Sequence, residues 1–83
     1  MRMYASMNSV RHIRDNIFGL SQVAFAEIAG VSQATVSRWE SGELEPNRDD
    51  MGRIHSAARQ RGLALDYETF FVAPPVAERE SAA

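Results

Sequence analysis

The chain has 83 residues, no cysteine, eleven acidic and nine basic residues, and a net charge of −2 at pH 7. That length allows one small domain with a limited core, and the lack of cysteine excludes disulfides and thiolate metal sites and suits a reducing cytoplasm. Apolar runs of only a few residues, and an opening Met1-Arg2-Met3-Tyr4 with no apolar stretch behind it, argue against a membrane span or a secretory leader.

All nine basic residues are arginine, and the acidic ones gather at 43–50 and 78–80. Long-range attraction to a polyanion is therefore weak, and any affinity for one must come from local contacts. There is no internal repeat.

Residues 1–7, MRMYASM, are expected to form a flexible arm, either a frayed terminus or a segment making dimer or minor-groove contacts. A first helix is predicted from about Ser9 to Phe18, capped by Asn8 or Ser9. Val10, Ile13, Ile17 and Phe18 form its buried face, and Arg11, His12, Arg14 and Asp15 face outward or flank the core. Gly19 ends it and Leu20 turns back into the core. His12 and His55 are the only histidines, and without cysteine or clustered carboxylates they read as surface or boundary residues rather than metal ligands.

Residues 21–42 carry the strongest local signals. Ser21 can cap a helix over Gln22 to Ala29, because its oxygen accepts from the unpaired N–H groups of the first turn. Gly30 stands where the chain must leave the right-handed region. Ser32 can cap a second helix from Gln33 to Ser41, ending at Gly42. Phe25, Ala26, Ile28, Val31, Val36 and Trp39 give both helices one apolar face on a common core. Two short helices joined by a tight, glycine-containing turn make a helix-turn-helix. Gln33, Ala34, Ser37 and Arg38 all miss the apolar face of the second helix. An amide suits adenine, a guanidinium suits guanine and a methyl suits the thymine methyl, so these four form a base-reading set; an ordinary solvated helix face is the alternative.

Pro46 keeps the residue before it out of a helix. Asn47 then caps a helix from Arg48 to Arg61, with Asp49 and Asp50 favoured by the dipole in its first turn. Met51, Ile54, His55 and Ala58 form its inner stripe, and Gly52 marks either close packing or a weak spot. Arg48 is placed either to reach a phosphate or to face solvent. Residues 63–72 form either a short helix from Tyr67 to Phe71, capped by Asp66, or an extended edge over 69–72. Leu65, Tyr67, Phe70 and Phe71 supply apolar surface there, either for a dimer interface or for closing the core. Residues 73–83, with adjacent prolines and little to pack, read as a disordered tail. The domain proper is thus 8–72.

The stretch LSQVAFAEIAGVSQATVSRWESGELEP resembles the Cro and phage-repressor type of helix-turn-helix, the lambda-repressor-like DNA-binding family. The likeness rests on Leu20-Ser21-Gln22, Ala26, Gly30-Val31-Ser32, Val36-Ser37-Arg38-Trp39-Glu40, Gly42 and Pro46, and covers about residues 10 to 60. It implies a phosphate contact at Gln22, base contacts at Gln33, Ala34, Ser37 and Arg38, and a phosphate-contacting hydroxyl at Thr35. It also implies a pair between Arg14 and Glu40. Here the chain departs from the pattern, since Arg14 stands one residue further from Leu20 than is usual.

The expectation is an all-α, compact bundle of four to five short helices that binds double-stranded DNA at a specific site. Such a protein is a transcriptional regulator, and with no effector domain the simplest action is repression by occupying a palindromic operator as a homodimer. No cofactor or small-molecule ligand is implied. Two other classes are open. An antitoxin of a toxin–antitoxin pair resembles the same family but has a protein partner as its main target. An enzyme is disfavoured, because no nucleophile–base pair, metal ligand set or glycine-rich phosphate loop is evident.

Overall fold

A computed structural model describes residues 8–71. The expected arm at 1–7 and tail at 73–83 lie outside the described residues, as does Val72. Among the described residues the structure is all-helical. Helix α1 spans Ser9–His12 and runs directly into a π-helical turn over Ile13–Phe18; α2 spans Gln22–Ala29, α3 Gln33–Ser41 and α4 Arg48–Gln60, and a 3-10 turn over Tyr67–Phe70 follows. No helix of the described chain is long and apolar enough to cross a membrane.

The helices begin where short side-chain acceptors stand. Asn8, Ser21, Ser32 and Asn47 each accept from a backbone N–H of the first turn. Asn47 and Asp50 complete a reciprocal capping box, with bonds of 2.8 and 2.9 Å. Asn8 does double duty. Its oxygen caps α1, and its amide donates to the Trp39 carbonyl at 2.5 Å, tying the start of α1 to α3.

The core lies between all four helices. Val10, Ile13, Phe25, Ala26, Ala29, Val36, Trp39, Ile54 and Ala58 are buried in it, with Ile17, Phe18, Leu20, Ile28, Val31, Met51 and Leu63 packed around them. Leu65 and Phe70 close it from below, at 7 % and 8 % exposure. Of the two alternatives for this segment, a dimer interface or closure of the core, these two residues take the second within the chain. The segment after Gly62 folds back against α4 and α1, and the Ser9 hydroxyl donates to the Phe70 carbonyl at 2.8 Å. Tyr67 and Phe71 remain exposed, Phe71 at 72 %.

The first helix also departs from a single α-helix. A π-turn closes its hydrogen-bonded ring with one residue more than an α-turn. The Gly19 N–H closes such a turn on the Arg14 carbonyl, the Leu20 N–H reaches the same carbonyl at 3.1 Å, and Gly19 is the left-handed residue that ends the turn. The extra residue between Arg14 and Leu20 is absorbed here, and Arg14 is free to aim inward.

Two glycines of the fold differ in kind. Gly30 has φ 75°, and a Cβ there would come within 2.9 Å of Arg53 Nε, the group that donates to the Ala29 carbonyl at 2.7 Å. Gly52 has helical backbone within α4, and its Cβ would meet only the Tyr67 hydroxyl, at 3.8 Å. Gly30→Ala is expected to cost about 1–2 kcal/mol from the left-handed backbone alone. Gly52→Ala should gain about 1 kcal/mol from helix propensity. Denaturant unfolding of the two variants checks the contrast; a destabilised Gly52→Ala protein would show that Tyr67 packs more tightly on α4 than this geometry allows.

Candidate nucleic-acid interface

Helices α2 and α3 pack against each other through Phe25, Ala26, Val36 and Trp39, which leaves the opposite side of α3 in solvent. Gln33, Ala34, Ser37 and Arg38 are all exposed there. Their spacing places them on one face, since residues three and four apart along a helix are neighbours. The face ends cleanly. The Glu43 and Leu44 N–H groups return to the Arg38 carbonyl at 3.0 and 3.2 Å, and Gly42 turns the chain away from the axis of α3.

Behind the face lies a charged pair. Arg14 Nε donates to Glu40 Oε2 at 2.5 Å and its Nη2 to Oε1 at 3.2 Å, while Nη1 holds the Leu20 carbonyl at 2.8 Å. The two side chains are 14 % and 9 % exposed. Arg14 thus lies deeper than a helix-flanking position, and the family-type pair forms despite the longer spacing. The hydrogen bond to Glu40 raises the Arg14 guanidinium above its ordinary pKa, outweighing the burial that lowers it, so the group stays charged.

Gln22, at the first residue of α2, bridges this pair to α3. Its Nε2 donates to Glu40 Oε1 at 3.1 Å, and its Oε1 accepts from Gln33 Nε2 at 3.3 Å. Gln22 is half-buried, whereas Gln33 is exposed. Thr35 is half-buried and its hydroxyl lies 3.0 Å from that of Ser32, at the N-terminus of α3. Arg48 is exposed at the first residue of α4, across the loop from α3. A cation there gains nothing from the helix dipole, which favours anions at that end.

Two residues that organise the site are only partly legible, or not at all, in the sequence. Glu40 enters the sequence reading only through the resemblance, as the partner of Arg14; its burial, at 8 % exposure, does not follow from the spacing. Arg53 bonds the last carbonyl of α2 and, through Nη2, Asp50 at 2.6 Å, so it locks the end of α2 to the start of α4. Its only local signal is Asp50 three residues earlier; nothing in the spacing points to Ala29.

A model of the family described as helix-turn-helix matches residues 10–58, more than half of the chain. No curated protein and no solved structure matches significantly. The match spans α1 to α4, including the exposed face of α3 and the pair behind it, and the chain belongs to the helix-turn-helix family of Cro and phage-repressor type, a family of DNA-binding regulators.

Proposed function

We propose that this protein represses transcription by placing α3 in the major groove of a specific operator. The observation that carries the reading is the exposed set Gln33, Ala34, Ser37 and Arg38 on one side of a helix whose other side is held in the core. Gln33 reads adenine, Arg38 reads guanine, and Ala34 and Ser37 line the same groove. Helix α2 crosses the backbone with Gln22 at a phosphate, and Thr35 and Arg48 take the phosphates on either side.

The functional unit is a homodimer. One recognition helix reads too few base pairs for a genomic address, and two related by a two-fold axis read half-sites ~34 Å apart. Phe71 and Tyr67 supply the apolar contact. Phe71 rims a surface groove of about 290 Å³ shared with Leu44, Pro46 and Met51, so one face carries both a protruding ring and a place for one, as an isologous contact needs. The same exposed ring favours one second reading, an antitoxin whose partner protein covers that groove; co-purification of a second polypeptide would mark it.

Arg38→Ala should cost ~1–3 kcal/mol and relax preference at one base pair, while Gln22→Ala weakens binding to all duplexes alike. Anisotropy titrations over a panel of duplexes at fixed salt measure both; a uniform loss for Arg38→Ala would move that residue to phosphate.

Phe71 is exposed, so Phe71→Glu should fold normally and abolish pairing of protomers on a palindromic duplex. Sedimentation with and without DNA measures this, and a parent chain that binds one half-site as an independent monomer would remove the dimer.

A further inference from the structure

The groove beside the end of α3, about 290 Å³ in volume, is walled by Asn8, Trp39, Leu44, Glu45, Met51 and Phe71 among others. Its apolar part is open to solvent at Leu44 and Phe71, which are 44 % and 72 % exposed. Its rim is acidic. Glu45 stands on it, and Glu43 is exposed on the other side of Leu44 in the chain. Neither carboxylate has an ion-pair partner among the described residues. We propose that residues 1–7, MRMYASM, lie back along this groove of their own chain, with methionine and Tyr4 side chains on its apolar walls and Arg2 against Glu45.

Connection, charge and shape select this occupant. Asn8 is itself a wall of the groove, held there by the bond from its amide to the Trp39 carbonyl. Residues 1–7 therefore start at the site and reach ~23 Å from it when extended, and closing so short a segment onto its own chain costs little loop entropy. They carry one cation, Arg2, and no acid. Residues 72–83 also leave from a wall of the groove, at Phe71, but carry Glu78 and Glu80 against Arg79 alone. An acidic rim attracts the first segment and repels the second. Met1, Met3 and Met7 then suit the surface on offer. Unbranched methionine fills irregular apolar gaps and its sulfur packs well on aromatic rings, which Trp39, Phe70 and Phe71 supply. The groove lies at the lower edge of the usual ligand-pocket range of ~300–1,000 Å³. It takes the side chains of an extended segment rather than a helix, which is ~10 Å across.

Docking of the arm depends neither on base reading by α3 nor on pairing of protomers. It claims the same groove as the Phe71 of a second protomer, so pairing through that ring and closure of the arm exclude each other. A segment held in the groove is also withheld from DNA.

Backbone 15N relaxation of the full chain, without DNA and at two protein concentrations, tests the docking. Order parameters for residues 2–6 are expected above ~0.6, the upper limit of a flexible segment, and equal at both concentrations. Arg2→Glu and Glu45→Lys should each bring them below that level. Combining Arg2→Glu with Glu45→Lys should raise them again, because two reversed charges attract as the original pair does. Glu45 is exposed and outside the core; Leu44→Lys, at another exposed wall, loosens the arm in its place if Glu45→Lys does not fold. Residues 2–6 with free-chain order in the parent overturn the proposal, as does a double variant no more ordered than either single one. Order that rises with concentration assigns the arm to the groove of a second copy and overturns closure within one chain. Every reading is taken without DNA, so a failure of operator pairing leaves this result standing, and a free arm leaves pairing to its own test.

Discussion

The ion pair between Arg14 and Glu40 is the constraint on which the arrangement of the helices turns. Taking two charges out of water is costly, and the cost is offset only when the remaining donors and acceptors are satisfied. Here they are: Arg14 also holds the Leu20 carbonyl, Glu40 also accepts from Gln22, and no buried side-chain polar atom of the described chain lacks a partner. The pair joins the π-turn after α1, the entry to α2 and the last turn of α3. An apolar contact in the same place would hold these elements together without specifying their register, whereas the fork of a guanidinium admits one geometry.

That geometry matters for the proposed function because the exposed face of α3 is short. Ala34 and Ser37 have little reach, so recognition of the kind proposed would depend on where the backbone of α3 lies rather than on flexible side chains. The helix is accordingly held at several points. Trp39 and Val36 are sunk in the core, Asn8 grips the Trp39 carbonyl, and Ser32 caps the N-terminus. Arg53 fixes α2 against α4 from the far side. With a net charge of −2 and Arg38 as the one cation among the four residues proposed to read bases, sequence-independent attraction is weak. On the proposed reading, a regulator built this way leans on directed contacts and on doubling them across a two-fold axis.

Much of this was legible because it is local. Asn8, Ser21, Ser32 and Asn47 mark helix starts through chemistry confined to one turn, and Gly19, Gly30, Gly42 and Gly62 mark the exits, all with positive φ. The polar face of α3 follows from period alone. What was not legible depends on distant partners. The π-turn answers a spacing that matters only once Arg14 must meet Glu40, 26 residues on. Arg53 reaches Ala29 across 24 residues. Leu65 and Phe70 could not be told from Tyr67 and Phe71 by composition, since whether an aromatic closes a core or leaves it depends on how the chain folds back.

The central claim, that α3 reads a defined DNA sequence, is tested most directly by selecting bound duplexes from a random pool with the purified parent chain. The account predicts enrichment of a two-fold symmetric motif whose half-sites lie about one helical turn apart and contain an adenine and a guanine on the face read by Gln33 and Arg38. Recovery of DNA without an enriched motif, at an affinity set by salt alone, would contradict it.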